Sequence, residues 1–154
     1  MKTVKSMDER VLNWLHANQG KTFASPRDAI FGTKTQVFKI SSVHNDRVYI
    51  KFGNNRYEAL PLVFSMFDRV LDDLTINKGK AVRLGAKVEP PYDNESLEAV
   101  IWKQPYPVFN VPYKASPHVC DILCLAGLIK YVRAVNPKSG RKVQAAKLIE
   151  QCRA

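Results

Sequence analysis

Seven lysines and arginines lie beyond residue 127: Lys130, Arg133, Lys138, Arg141, Lys142, Lys147 and Arg153, against one acid, Glu150. Cations at that density suit a phosphate backbone, where they replace counterions; basic chains of this size also include membrane-surface binders and subunits that dock on acidic proteins. Ser139 stands inside the same run and adds a hydroxyl. A second group lies earlier in the chain. Arg47, Tyr49 and Lys51 alternate, so they share one side of a strand, and Lys39 stands on the segment before it. A ring between two cations can lie on a base or sugar while the cations hold phosphates. The plainer alternative has Tyr49 packed beneath another element and the cations solvated. Arg27 and Lys34 flank a short segment after Ser25-Pro26 and are the candidates for specific readout.

Catalytic and metal chemistry find less support. Metal-dependent nucleases of the common restriction type place an acid two positions before a lysine, and no lysine here has Asp or Glu in that place. The histidines at 16, 44 and 118 are dispersed, and neither a GxxxxGK[ST] phosphate loop nor a GxGxxG motif is present. His118, Cys120 and Cys124 have metal-capable side chains, but paired C-x-x-C units are missing and the cysteines sit on an apolar stretch. Buried free thiols are ordinary core residues. Asp68, Asp72 and Asp73 form an acidic patch that reads as a solvated helix side. The expectation is a chain without a catalytic site, a bound metal or a cofactor.

The net charge of +10 is unevenly placed. Residues 1–60 carry a balance of +5, residues 61–103 of −1, and residues 104–154 of +6. Two basic modules around a neutral packing unit would divide charge in this way. A hydrophobic content of 45% suits a globular chain of 154 residues, organised as one compact unit. No run of eighteen apolar residues occurs, so no membrane partner is expected. The N-terminus lacks the apolar stretch of a signal peptide, and three cysteines make no disulfide framework. The expected location is cytoplasmic, with nucleoid association in a prokaryote.

The elements that must position these residues follow from periodicity and capping. Asp8 can cap a helix to about residue 16, with Val11, Leu12, Trp14 and Leu15 as its apolar side. Ser25 and Pro26 open a second, short helix that Gly32 stops. Val48, Ile50 and Phe52 alternate with Arg47, Tyr49 and Lys51, opposite a strand over 36–43, with His44-Asn45-Asp46 as the turn. Pro61 opens the strongest helix, over 62–74, whose stripe includes Met66, Phe67, Val70 and Leu71. Residues 81–84 read as a short strand. Asp93 or Asn94 can cap a helix carrying Leu97, Val100, Ile101 and Trp102. Residues 104–115, with three prolines, form a crossover. Ala24-Ser25-Pro26 and Ala115-Ser116-Pro117 each precede a helix and a basic hairpin, which raises an internal duplication as a question.

From Ser116 the chain reads as a helix leading into strands 129–135 and 142–149, joined by Asn136-Pro137-Lys138-Ser139-Gly140-Arg141. With Leu123, Ala126-Gly127-Leu128, Tyr131, Val143 and Leu148, this segment resembles the end of a winged helix-turn-helix DNA-binding domain over residues 116–150. The resemblance rests on element order and turn type. It implies a helix entering the major groove and a wing touching phosphate or the minor groove. The chain departs from that pattern in its helix. Val119, Cys120, Ile122, Leu123, Cys124, Leu125 and Ala126 leave almost no polar side to read bases. The wing residues Lys138, Ser139, Arg141 and Lys142 then have to contribute more.

The expectation is therefore an α+β fold, with one or more winged-helix-like units whose β-hairpins pack on a central amphipathic helix. The expected modules are 1–60, 61–103, the crossover 104–115, and 116–154. The expected function is non-enzymatic binding of nucleic acid, duplex DNA before RNA, in transcription regulation or in target reading for restriction or phage defence. The alternative is a small basic subunit docking on an acidic protein, and a homodimer or a protein partner is compatible with either. A nuclease ranks third.

Overall fold

The computed structural model describes residues 8–34, 37–52, 60–85, 96–102 and 115–149. In chain order these form α1 (Glu9–Ala17), β1 (Thr22–Phe23), α2 (Pro26–Phe31), β2 (Phe38–Val43), β3 (Arg47–Phe52), β4 (Leu60–Val63), α3 (Phe64–Ile76), β5 (Val82–Arg83), α4 (Leu97–Ile101), α5 (Ser116–Leu125), β6 (Ile129–Val135) and β7 (Lys142–Leu148). The strands make two antiparallel sheets, ordered β1-β2-β3-β4 and β5-β7-β6. The class is α+β, as the alternation of helical and strand periods implies.

Local chemistry accounts for most element ends. The Asp8 carboxylate accepts from the Arg10 amide and starts α1, whose Val11 and Leu15 are fully buried. Ser25 accepts from the Arg27 amide, Pro26 occupies the first helical position, and Gly32 ends α2 at φ 72. In the β2–β3 hairpin Phe38, Ile40, Val48 and Ile50 point into the core, while Lys39 and Lys51 are exposed. A bulge between Ile40 and Ser42 shifts the register by one residue, so Ser42 rather than Ser41 faces Tyr49. Gln36, expected in the same strand, lies outside the described residues.

Three expectations need correction. The spine helix begins at Phe64, and Pro61, Leu62 and Val63 belong to β4, paired with Tyr49, Val48 and Arg47. Proline is tolerated there because β4 is an edge strand. α3 has no capping side chain, and the Phe64 amide donates instead to the Asp46 carbonyl in the hairpin turn, at 2.8 Å. The cap of α4 is Ser96, which accepts from the Ala99 amide, while Asp93 and Asn94 lie outside the described residues. The suspected duplication does not extend to topology. β1 pairs with the near strand β2 of its hairpin, whereas β5 pairs with the far strand β7. Ser25 caps its helix, but Ser116 lies one position inside α5, with Ala115 at the cap.

One hydrophobic cluster runs from Val11 to Ala146 and draws on both sheets and on helices α1, α3, α4 and α5. α3 is its axis. Met66, Phe67, Val70 and Leu74 are fully buried, and the helix packs on β4, β7, α4 and α5. Such a core holds α5 and the β6–β7 hairpin in fixed relation to the rest.

A buried acid completes that hold. α5 lacks a capping side chain, and Glu98 from α4 substitutes for one. Its Oε2 accepts from the Ala115 amide at 3.0 Å and Trp102 Nε1 at 2.8 Å, and its Oε1 from the Ser116 amide and hydroxyl at 3.2 and 3.0 Å. Burial pushes the Glu98 carboxyl above its ordinary range, and these four donors oppose the shift. The Glu98 amide bonds the Leu84 carbonyl at 2.8 Å, drawing α4 onto the strand that precedes Gly85. Gly85 has φ +84, and a Cβ there would lie 2.5 Å from the Ser96 side chain, so only glycine fits this approach.

Candidate nucleic-acid interface

The cationic turn between β6 and β7 is tethered at its neck and tip. The Asn136 amide donates to the Arg141 carbonyl at 2.8 Å, and the Gly140 amide to the Asn136 carbonyl at 2.7 Å. Two side chains add bonds from within: Asn136 Oδ1 accepts from the Lys138 amide at 2.9 Å and Ser139 Oγ from the Arg141 amide at 3.2 Å. Gly140, at φ +71, supplies the left-handed step. All five residues from 138 to 142 are exposed. Lys138, Arg141 and Lys142 therefore project from a fixed backbone. Ser139 spends an oxygen lone pair on the turn and keeps its O–H as a donor.

Strand parity separates the other three cations of this hairpin. In register, Ile129, Tyr131, Arg133 and Val135 lie opposite Leu148, Ala146, Gln144 and Lys142. Their side turns inward at Ile129 and Tyr131 and becomes solvent-facing at Arg133 and Val135. The Arg133 guanidinium sits 5.3 Å from the centroid of the Phe31 ring, and its Nη2 donates to the Phe31 carbonyl at 3.4 Å. Lys130 occupies the opposite side of the strand, directly across from Lys147.

In the first hairpin Lys39 lies directly across from Lys51, and both are exposed. Arg47 makes a two-pronged contact with its neighbour Asp46, Nε to Oδ1 at 3.1 Å and Nη2 to Oδ2 at 2.8 Å. That pairing raises the guanidinium pKa further and holds the Asp46 carboxyl below its ordinary range. Tyr49 is half-buried and lies edge-on to His44, with ring centroids 5.3 Å apart. A free ring between two free cations, as the alternation suggested, is not what forms. Across from Tyr49 stands Pro61 of β4, and Arg47 already has a carboxylate.

Arg27 also needs correction. It was a candidate for reading bases, yet its side chain is only 12% exposed and points inward to Asp121 of α5, itself 2% exposed. Arg27 Nε and Nη2 reach the two Asp121 oxygens at 3.0 and 3.1 Å, and Nε also contacts Ser25 Oγ at 3.1 Å. The Tyr131 hydroxyl donates to Asp121 Oδ1 at 2.5 Å, and burial pushes the tyrosine pKa well up, so this group stays protonated as a donor. The network fastens α2 and β6 to α5. Lys34, past the end of α2, is exposed.

Sequence reasoning missed Asp121 and Glu98, although a signal existed for both. Each is a lone acid in an apolar helix, and a charge that must go inside has to find partners. Replacing Asp121→Asn leaves the buried Arg27 guanidinium without its counter-charge and is expected to cost roughly 3 kcal/mol or more. Urea denaturation measures it. A loss well under 1 kcal/mol would mean that Arg27 finds solvent and is available to a ligand.

The helix expected to stand in the reading position is closed off. Ser116, Pro117, Val119, Cys120, Asp121, Ile122 and Leu123 are buried, α2 packs along α5, and the His118 ring lies 4.9 Å from the Phe52 ring of β3. Burial pushes the Cys120 thiol well up and the Cys124 thiol up, so neither is a ready nucleophile. Among the described residues no three His, Cys, Asp or Glu side chains come together as a metal site, and no helix is long and apolar enough to cross a membrane. On the two hairpins Lys39, Lys51, Lys130, Lys138, Arg141 and Lys142 are exposed. Compared with known protein families, curated proteins and solved structures, the chain matches none, and its own geometry carries the functional reading.

Proposed function

We propose that this chain binds nucleic acid, duplex DNA before RNA, by clamping phosphates with the β6–β7 turn. The observation that carries the reading is the turn itself: Lys138, Arg141 and Lys142, exposed, with no acid between residues 129 and 149, on a backbone tied in four places. A rigid cationic turn loses little freedom when it meets a phosphate backbone. The order α5–β6–β7, a helix leading into a two-stranded wing, supports the resemblance to winged helix-turn-helix domains. The burial of α5 supports a wing that acts as the main contact. Lys34, Lys39, Lys51 and Lys130 are further exposed cations for the same purpose. Such a clamp serves a transcription regulator as well as a target-reading module in restriction or phage defence.

Salt titration tests the proposal. With six or more phosphate contacts, affinity for a random-sequence duplex, read by fluorescence anisotropy, falls about 10³-fold between about 50 and 200 mM salt. Absence of binding at about 50 mM salt would overturn it and favour an acidic protein as the partner.

A further inference from the structure

Each hairpin sets one lysine directly across from another: Lys39 from Lys51 on β2 and β3, and Lys130 from Lys147 on β6 and β7. Side chains in direct register start about 5 Å apart, and like charges so placed weaken a ladder. An acid alongside would offset such a pair. Here the in-register neighbour of Lys39 on its other side is Thr22, and the residues two away along the strands are Val37, Ser41 and Tyr49 around the first pair. Around the second pair they are Leu128, Val132, Ala145 and Ile149. None of the four lysine side chains makes a hydrogen bond or ion pair among the described residues. The two sheets have different strand orders, so the repetition does not follow from one shared topology.

We propose that each lysine pair is a seat for one phosphodiester group, in which the two ammonium groups hold the oxygens of a single phosphate. An anion between them turns the repulsion into two charge-assisted hydrogen bonds, each of about 2.7–2.9 Å. The pairs lie on sheet surfaces away from the turn residues 138–142, so a bound strand is held on the flat of a hairpin as well as at its tip. This inference rests on the nucleic-acid reading and names further contacts for it, including Lys147.

The test uses the full chain and a random-sequence DNA duplex. Lys130→Gln with Lys147→Gln, and separately Lys39→Gln with Lys51→Gln, remove one seat each. Each variant is expected to melt at the same temperature as the parent or higher in low salt, because a repulsion is gone. Each is expected to bind about 8-fold more weakly near 0.1 M salt, with the salt slope reduced by about 0.9, the value of one phosphate contact. The Lys→Arg versions of the same pairs keep the affinity. Where a double variant does not fold, the single Lys130→Gln, on an exposed edge-strand position, carries the measurement. Unchanged affinity and slope in folded variants would overturn the seats. If an Arg141→Ala, Lys142→Ala protein still loses affinity in that case, the nucleic-acid reading stands without them. If the parent chain binds no duplex, both fall together.

Discussion

Met66→Asp is expected to leave no folded protein at neutral pH. Met66 is fully buried on α3, the helix that touches β4, β7, α4 and α5, so a carboxylate there has no water and no route to it. An unpaired buried charge costs several kcal/mol even after the surroundings relax, against a total stability of about 5–15 kcal/mol for a domain. The loss of methionine packing adds about 2 kcal/mol or more. Circular dichroism should show loss of helix and no cooperative melt. Met66→Leu, which keeps volume, is expected to cost less than about 1.5 kcal/mol. The sign with pH is definite. Burial raises the introduced carboxyl's pKa in the folded state, so any stability recovered is present below the ordinary carboxylate range and lost as pH rises. A cooperative melt at neutral pH would place Met66 at the surface and remove α3 from the centre of the fold.

How much of this architecture could be read from the residues depends on how far each cause reaches along the chain. α2 was legible from end to end because its start and stop are single residues, Ser25, Pro26 and Gly32, each acting on its immediate neighbours. β3 was legible because Val48 and Ile50 alternate with Tyr49 and Lys51, a pattern that only a strand with one buried side produces. β6 and the start of β7 were legible for the same reason, with a proline-glycine turn between them. The boundary of β4 and α3 was not. Leu60 to Phe67 is nearly continuous in apolar residues, and a short apolar run has no period of its own. Pairing with β3 decides it, and that partner lies beyond any local window.

The candidate site divides along the same line. The turn that carries Lys138, Arg141 and Lys142, and with it their exposure, was legible from local turn chemistry. Arg27 was misplaced because its fate is decided by Asp121, 94 residues away in sequence. Nothing near Arg27 in the chain announces that partner. The cross-strand lysine pairs needed the register of each hairpin, and the bulge at Ser41 would have misaligned any register counted inward from the first turn. The charge excess at the two ends of the chain sits on hairpins that share a core. Both hairpins are anchored in one core, through Phe38 and Ile40 on one side and Ile129 and Tyr131 on the other.

Arg141→Ala combined with Lys142→Ala is expected to weaken duplex binding about 60-fold near 0.1 M salt, because two phosphate contacts are lost at a slope of about 0.9 each. The same loss flattens the salt dependence by about 1.8. It should be equal for every duplex sequence, since phosphate contacts position a protein without reading bases. Folding should be untouched, and the geometry says why. The bonds that Arg141 contributes to the turn come from its amide, given to Ser139 Oγ, and its carbonyl, which accepts from Asn136, so alanine keeps both. Lys142 lies in register with Val135, is exposed, and its side chain makes no hydrogen bond or ion pair among the described residues. An unchanged melting temperature with lowered affinity therefore assigns the loss to charge. Ser139→Ala supplies the complementary comparison: it keeps every cation and removes one tether, so its affinity should fall modestly while the salt slope stays near that of the parent. If the double variant instead binds with the parent's affinity and slope, the turn is not a phosphate clamp. Lys34, Lys39, Lys51, Lys130 and Lys147, on the strands and loops behind it, are then the next cations to replace.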